Sequence, residues 1–148
     1  MDFGGNDCEV ERTFVMVKPE GVLRGLAGEI IGRFERRGLR LSALKLVKPN
    51  LEQLIQHYAE HKDRPYFGSM IQHLSSSGPV VAMVWSGPES VSLARNLIGS
   101  TDPSESRCGT ARGDLAVSVK RTAVHGADST EAAEREMAIW FNEDEIHK

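Results

Sequence analysis

Short apolar runs of strand length alternate along this chain with segments of helical periodicity, and this order limits the possible folds. Residues 13–17 form a continuous apolar, β-branched run, which predicts a buried strand ending at Lys18-Pro19. Residues 26–37 place apolar side chains on one face and charged ones on the other, and Gly38 follows as a C-terminal cap, so they predict an amphipathic helix. Residues 39–47 alternate with one slip, which predicts a second strand with a bulge.

The rest of the chain repeats this order after a helical insertion. Asn50, with Gln53 as its capping-box partner, predicts a helix to about His61, and a second helical stripe follows Pro65. A strand, a helix, a strand and a last helix are then expected over residues 79–85, 88–98, 115–119 and 129–140, with Asp128 or Ser129 capping the last helix. This order predicts a ferredoxin-like βαββαβ sandwich of the α/β (α+β) class, with helices covering one face of a four-stranded antiparallel sheet, a helical-pair insertion and a C-terminal helix.

Length and composition predict one domain. The chain has 148 residues, of which 40% are hydrophobic, and we expect a flexible N-terminal extension over residues 1–11 and a domain over residues 12–148. The net charge of -3 argues against a surface that binds nucleic acid or anionic lipid throughout. Cys8 and Cys108 have neither metal nor disulfide spacing, and no apolar run approaches the length of a membrane helix. We therefore expect a cytoplasmic protein with no membrane segment and no specific nucleic-acid partner.

Two segments have the character of anion-binding elements. Residues 100–114 make a long connection that contains hydroxyl, acidic and guanidinium side chains, and long ordered loops tend to be functional. Glycines follow the first strand at positions 21, 25 and 28, but their spacing matches neither G-x-G-x-x-G nor the phosphate loop. Any phosphate group must therefore be held mostly by side chains.

Two short motifs have competing interpretations. The stretch from His57 through Glu60 to His61 matches the H-x-x-E-H pattern of zinc peptidases, but no third ligand is signalled nearby and a partly solvated helix is the favoured interpretation. Arg112-Gly-Asp114 matches an integrin-binding tripeptide, for which we favour a structural or anion-binding role because no secretion signal precedes it.

His125 is the candidate catalytic residue that stands out from the residues alone. It lies between the predicted fourth strand and the N-terminus of the last helix, where the helix dipole favours anions. Gly126 removes side-chain bulk beside it, and Glu136 can accept a ring N–H and fix the tautomer. A lone histidine is more often structural, and these neighbours are what favours catalysis here.

A set of motifs spread from Glu11 to Phe141 carries a family resemblance. They are Lys18-Pro-Glu-Gly-Val22, Arg24-Gly-Leu26, Gly28-Glu-Ile30, His57-Tyr58, Lys62-Asp-Arg-Pro65, Ser77-Gly-Pro-Val80, Gly109-Thr-Ala-Arg-Gly-Asp114, His125-Gly126 and Glu134-Arg-Glu136. With these motifs the chain resembles the nucleoside diphosphate kinases. The resemblance implies a ping-pong transfer of the γ-phosphoryl group from a nucleoside triphosphate to a nucleoside diphosphate.

The resemblance also implies roles for individual residues. His125 would be the nucleophile, Glu136 would hold the proton of its other ring nitrogen, Tyr58 would lie beside it, and Lys18 would contact phosphate and ribose. Mg²⁺ would bridge the nucleotide phosphates without protein ligands, and the assembly would be a homo-oligomer, either a hexamer or a tetramer. The implied nucleotide-binding residues are Lys18, Arg64, Tyr66, Met70, Arg95, Thr101, Arg112, Val119 and Thr122. The base would lie between Tyr66 and Val119, which implies broad base specificity.

The chain departs from the family pattern at several of these positions. Thr122 stands where an asparagine usually binds the sugar 3'-hydroxyl, so weaker or water-mediated sugar contact and reduced activity are expected. Ala127 stands where serine is usual, which removes a hydroxyl near Glu136. Tyr66 and Cys108 replace the more common phenylalanine and proline. The alternative function is therefore a weakly active or non-catalytic relative that binds a nucleotide or a protein partner.

Overall fold

The computed structural model describes residues 10–102, 104–118 and 121–148. Its strands are β1 (Arg12–Val17), β2 (Arg40–Val47), β3 (Val80–Ser86) and β4 (Val124–Gly126). Its helices are α1 (Pro19–Leu23), α2 (Ala27–Arg36), α3 (Leu51–His57), α4 (Phe67–Ser76), α5 (Ser90–Ile98), α6 (Ala111–Leu115) and α7 (Thr130–Trp140), with 3-10 turns at Ala59–His61 and Glu143–Glu145. The strands pair antiparallel in the order β2-β3-β1-β4, which confirms the expected ferredoxin-like sheet with a helical-pair insertion.

Helices cover both faces of the sheet, whereas the sequence analysis expected one. On the first face, Val15 and Val17 of β1 pack with residues of α2 and α5 such as Phe34 and Ile98. On the second face, other residues of β1 and β3 pack with α7 and the chain end after it. The one-face expectation is wrong because the C-terminal helix closes the second side, and this burial of both faces explains why β3 has no exposed residue.

Several local signals act as the sequence predicts. The Asn50 side-chain oxygen accepts a hydrogen bond from the backbone N–H of Gln53, and the Gln53 side-chain oxygen accepts one from the backbone N–H of Asn50. The capping box of α3 is therefore formed. Gly38 and Gly99 follow α2 and α5 with φ angles of 99° and 94°, a conformation that glycine adopts without strain. The predicted bulge in β2 lies between Leu41 and Ala43.

The predicted strand over residues 115–119 is wrong. Thr110 accepts a hydrogen bond of 3.0 Å from the Gly113 amide and caps α6, so this part of the chain is helical up to Leu115. Ser118 makes only an isolated bridge with Arg121, and the fourth strand is the three-residue β4. Helix α1 was not predicted either, because five residues that include Gly21 carry too little periodicity.

Some expectations fall outside the described residues. Val119, which was assigned to the base pocket, is not among the described residues. Residues 1–9, which include Cys8 and most of the predicted N-terminal extension, are not among them either. Among the residues that are described, no helix has the length and apolar character needed to cross a membrane.

Candidate active site

The junction of β1 and β4 brings Lys18 and His125 to one end of the sheet. His125 pairs with Met16 in the register of β4 on β1, and the backbone amide of Lys18 donates a 2.9 Å hydrogen bond to the Ala123 carbonyl. Because directly paired residues point to the same side of a sheet, the His125 side chain lies on the face that α7 covers. About 23% of that side chain remains exposed, so it is reachable from outside.

Glu136 of α7 holds the ring of His125 in place. Nε2 of His125 lies 2.7 Å from Oε1 of Glu136, whose side chain is only 4% exposed. A carboxylate can only accept, so Nε2 carries the hydrogen and Nδ1 of the neutral ring keeps its lone pair. The ring therefore presents a nucleophilic nitrogen on the side away from Glu136.

Burial and the cations on neighbouring elements keep this imidazole neutral. Burial, followed by the charges of Lys18 and Arg112, lowers the pKa of His125 to about 3. Burial, followed by the nearby Arg112, lowers the pKa of Lys18 to about 8, while its ammonium group donates a 2.8 Å hydrogen bond to the Thr122 hydroxyl. Burial raises the pKa of Glu136 to about 7. The site thus combines a neutral imidazole, which has a free lone pair, with cations suited to a phosphate group.

Arg112 is tied to the backbone beside the nucleophile. Its guanidinium group donates to the carbonyl of Val124 at 2.9 Å and to that of Gly99 at 3.2 Å. Asp114 of the same tripeptide forms a 2.8 Å ion pair with Arg33 and accepts from the amide of Gly109. Arg112-Gly-Asp114 therefore has the structural role favoured over an integrin motif.

His57 lies on the inner side of the site, and the sequence analysis missed it in this position. Its side chain is 1% exposed, its ring centroid is 4.6 Å from that of His125, and Nδ1 accepts a 3.0 Å hydrogen bond from the indole of Trp140. Its spacing of three from the buried Leu54 is a signal that His57 belongs to the inner face of α3.

The zinc-peptidase interpretation fails on the placement of these residues. His57 points into the core, whereas His61 is exposed and its Nδ1 lies 2.8 Å from the hydroxyl of Tyr66. Glu60 is exposed and pairs with Arg135 at 3.4 Å. The two histidines and the glutamate therefore do not face one metal.

The remaining predicted residues lie around this centre at different depths. Tyr58 packs its ring edge on His57 with centroids 4.7 Å apart, and burial raises its pKa to about 12. Thr122 is buried at the side of Lys18. The exposed or half-buried positions are Arg64 and Tyr66 before α4, Met70 on α4, Arg95 on α5 and Thr101 after α5. The described contacts thus join His125 to Glu136 directly, link Lys18 to Thr122 and Tyr58 to His57, and leave the other nucleotide-binding candidates at the surface.

Comparisons with known proteins show which family this chain is similar to. A family model described as "Nucleoside diphosphate kinase" matches residues 11–146. A protein of that name from Crocosphaera subtropica is 53% identical over 137 residues, which cover 93% of this chain and 91% of that protein. Nucleoside diphosphate kinase 3 of Homo sapiens is 52% identical over 136 residues, covering 92% and 80% respectively.

Solved structures show the same likeness. A nucleoside diphosphate kinase family protein from Babesia bovis superposes with a TM-score of 0.90 at 48% identity, and 93% of each chain is covered. A nucleoside diphosphate kinase from Halobacterium salinarum, solved in complex with CDP, gives a TM-score of 0.89 at 42% identity, with 95% of this chain and 93% of that chain covered.

Proposed function

The chain belongs to the nucleoside diphosphate kinase family, and we propose that it transfers the phosphoryl group by way of His125. It is a phosphotransferase that acts on nucleoside di- and triphosphates. The observation that supports His125 as the carrier is its ring geometry: Nε2 is held 2.7 Å from Glu136, which leaves the lone pair of Nδ1 for attack.

The proposed reaction has two matching halves. The Nδ1 lone pair attacks the γ-phosphorus, the bond from that phosphorus to the bridging oxygen breaks, and a nucleoside diphosphate leaves with the electron pair. The ring gains positive charge as the N–P bond forms, and the Glu136 carboxylate stabilises it through the Nε2 hydrogen. A second nucleoside diphosphate then attacks the phosphohistidine through a terminal oxygen and regenerates the neutral ring.

The charges around His125 suit a polyphosphate. Lys18 and Arg112 are close enough to depress the pKa of His125, and Arg95 adds a third positive charge. We propose that these three, with Arg64 and Thr101, contact the phosphates, and that Tyr66, Met70, Val119 and Thr122 contact base and sugar. Arg112 reaches the phosphates with preset geometry because two carbonyls already hold it.

The family's kinase reaction uses a divalent cation, and we propose that this ion is Mg²⁺ bound to the nucleotide. Lys18 and Arg112 are the charges that act most strongly on His125, ahead of the carboxylate of Asp128, and the buried acid Glu136 is engaged with His125. Mg²⁺ prefers oxygen ligands in octahedral geometry, which phosphate oxygens and water supply. When bound, the ion neutralises phosphate charge, and Lys18 and Arg112 hold the remaining oxygens.

Incubation with γ-labelled ATP and Mg²⁺ tests the carrier. We expect acid-labile, base-stable label on the wild-type protein, loss of label in His125→Gln, and retained label in His73→Gln, an exposed histidine on α4. Label of equal amount in His125→Gln would disprove the assignment. The alternative of a non-catalytic relative would be supported by absence of label in the wild type, but nothing in the comparisons favours it.

We further propose a homo-oligomer, either a hexamer or a tetramer, in which strand β2 takes part. This strand is at the edge of the sheet, and its Leu44 and Leu46 are 50% and 65% exposed. Unpaired edge strands with exposed apolar residues tend to be covered by another chain. Light scattering of the wild type and of Leu44→Lys tests this, and a monomeric wild type would refute it.

We propose that the protein is located in the cytoplasm. Cys108 is an exposed free thiol, which suits a reducing compartment. Cell fractionation with an antibody to the protein tests the location, and recovery outside the cytoplasmic fraction would refute it.

A further inference from the structure

The inner side of the active site contains a cluster of potential metal ligands, formed by His57, His125 and Glu136. One atom from each lies within 4.8 Å of the others, and this part of the chain is mostly buried. Nε2 of His57 has no hydrogen-bond partner among the described residues and faces Oε1 of Glu136 at 3.8 Å. Two imidazoles and a carboxylate are a donor set that zinc accepts. Whether the cluster can bind a metal depends on which ring nitrogen of His57 carries the hydrogen.

The indole of Trp140 fixes that protonation. Its Nε1–H lies 3.0 Å from Nδ1 of His57, and both side chains are almost completely buried. An indole N–H can only donate, so Nδ1 of His57 must carry the lone pair. In the neutral ring the hydrogen is then on Nε2, the nitrogen that faces Glu136. Burial lowers the pKa of His57 to about 3, which keeps the ring neutral at physiological pH.

This tautomer of His57 prevents metal binding at Nε2 and instead directs two ring N–H groups toward Glu136. A metal needs the lone pair of Nε2, and that nitrogen carries a hydrogen as long as Trp140 donates to Nδ1. The N–H of His57 and the N–H of His125 instead converge on the same oxygen of Glu136, at 3.8 Å and 2.7 Å. The other oxygen, Oε2, has no partner among the described residues, so Oε1 is the anchored one.

We propose that Trp140 and His57 are positioning residues for phosphoryl transfer, and that they act through Glu136 on the tautomer of His125. The inference rests on the proposed role of His125. Trp140 keeps the hydrogen of His57 on Nε2, this N–H faces the Glu136 carboxylate, and Glu136 keeps the hydrogen of His125 on Nε2. The separation of 3.8 Å is longer than a hydrogen bond, and it shortens when the His125 ring gains charge, since catalytic hydrogen bonds tighten in the reacting complex.

The two amide replacements of His57 form a matched pair. Glutamine can place an N–H near the position of Nε2, facing Glu136, but offers nothing to the indole at Nδ1. Asparagine can place an acceptor near Nδ1, facing Trp140, but leaves Glu136 without a donor. Both remove the ring from the same buried space, but asparagine is one methylene shorter and leaves the larger cavity, so the free energy of unfolding of each variant is measured beside its rate to separate packing from positioning.

The measurement is the rate of His125 labelling by γ-labelled ATP with Mg²⁺ in a single turnover. We expect His57→Gln to react on the order of tenfold faster than His57→Asn, with similar nucleotide affinity in both, as for other residues that orient a functional histidine. Equal rates in the two variants, or a faster asparagine variant, would overturn the role of His57. Absence of label on His125 in the wild type would instead remove the proposed function.

Nitrogen-15 NMR of histidine-labelled protein tests the same chain of contacts without turnover. In the wild type we expect hydrogen on Nε2 and a lone pair on Nδ1 for both His57 and His125. Trp140→Phe keeps an aromatic ring in the core but removes the indole N–H, and we expect His57 to become a mixture of tautomers and labelling to slow. If His57 in Trp140→Phe keeps the wild-type tautomer and His125 is labelled at the wild-type rate, Trp140 does not position the site.

Discussion

The ammonium group of Lys18 donates a 2.8 Å hydrogen bond to the hydroxyl of Thr122, across 104 residues of sequence. Lys18 directly follows β1 and Thr122 precedes β4, so the contact spans the two strands that carry the active site. Thr122 is only 2% exposed. The hydroxyl at this position, where the resemblance implies an asparagine amide, therefore orients a half-buried cation.

Removing this hydroxyl should weaken nucleotide binding. In Thr122→Ala the half-buried ammonium loses an acceptor, and hydrogen bonds to charged groups contribute about 1.5–3 kcal/mol. We expect the KM for nucleoside diphosphate to rise by about tenfold or more, and Thr122→Ser, which keeps the hydroxyl, to stay close to the wild type. Steady-state kinetics of both variants checks this, and an unchanged KM in Thr122→Ala would show that Lys18 does not depend on Thr122.

The pH dependence of kcat/KM should follow Glu136 and Lys18. The pKa of Glu136 is about 7 and that of Lys18 about 8, so kcat/KM should rise as pH climbs through 7 and fall above 8. The pKa of His125 is about 3 and adds no limb near neutrality. The nucleotide's own phosphate also titrates in this range, so the wild type is compared with Glu136→Gln on the same substrate.

Three neighbouring groups with shifted pKa values do not change charge between pH 6 and 9. His57 has a pKa of about 3 and Tyr58 one of about 12, while Arg112 keeps its charge. Glu136→Gln should therefore be slower and lose the part of the acid limb that belongs to the carboxylate. An identical acid limb in Glu136→Gln would contradict the prediction.

Acid should destabilise the folded protein through His57. Its folded-state pKa of about 3 is below the ordinary value of 6.5, so the unfolded chain takes up a proton first as the pH falls. The stabilisation is present above pH 6.5 and is lost between pH 6.5 and 3, by up to about 1.4 kcal/mol per pH unit. Urea unfolding as a function of pH should show a shallower acid slope in His57→Gln than in the wild type. Equal slopes would mean that His57 is protonated in the folded protein.

Gly113 should be intolerant of a side chain. A Cβ there would lie 2.0 Å from the carbonyl oxygen of Arg107, which is backbone and cannot rotate away. We expect Gly113→Ala to lower the free energy of unfolding by about 1–3 kcal/mol and to raise the KM for nucleotide, because Arg112 is adjacent. Gly68→Ala is the control, since a Cβ at Gly68 in α4 has nothing within 4 Å and alanine favours helix. Equal stability of the two variants would show that the loop relaxes around the added methyl group.

Local chemistry explains which elements the sequence predicted. The capping box of Asn50 and Gln53 depends on residues three apart, and the bulge in β2 is visible as one slip in an alternating pattern. Helix α1 has only five residues and was missed, because it is held by contacts made elsewhere. A Cβ at Gly21 would lie 2.7 Å from the carbonyl oxygen of Ala123, so the close approach of this helix to the strand leading to His125 requires glycine.

The site was predictable where its partners share one local segment. His125 and Glu136 lie 11 residues apart around the start of α7, which is close enough for the pairing to be expected from helical geometry. His57 and Trp140 are 83 residues apart, and their contact depends on how α3 and α7 pack together. The spacing of His57 and His61 suggested a pair of metal ligands, whereas in the folded protein the His57 ring accepts a hydrogen bond from the indole of Trp140.

Strand β4 joins His125 to β1, which is an inner strand of the sheet. In the proposed reaction, a side chain anchored in this way stays in one place, so both nucleotides approach the same fixed point in turn. The donor and acceptor nucleotides both contain a nucleoside diphosphate, so the same site residues can contact each of them in the same way. The bond broken in the donor and the bond formed in the product are then of the same kind, so the same set of contacts serves both directions of transfer.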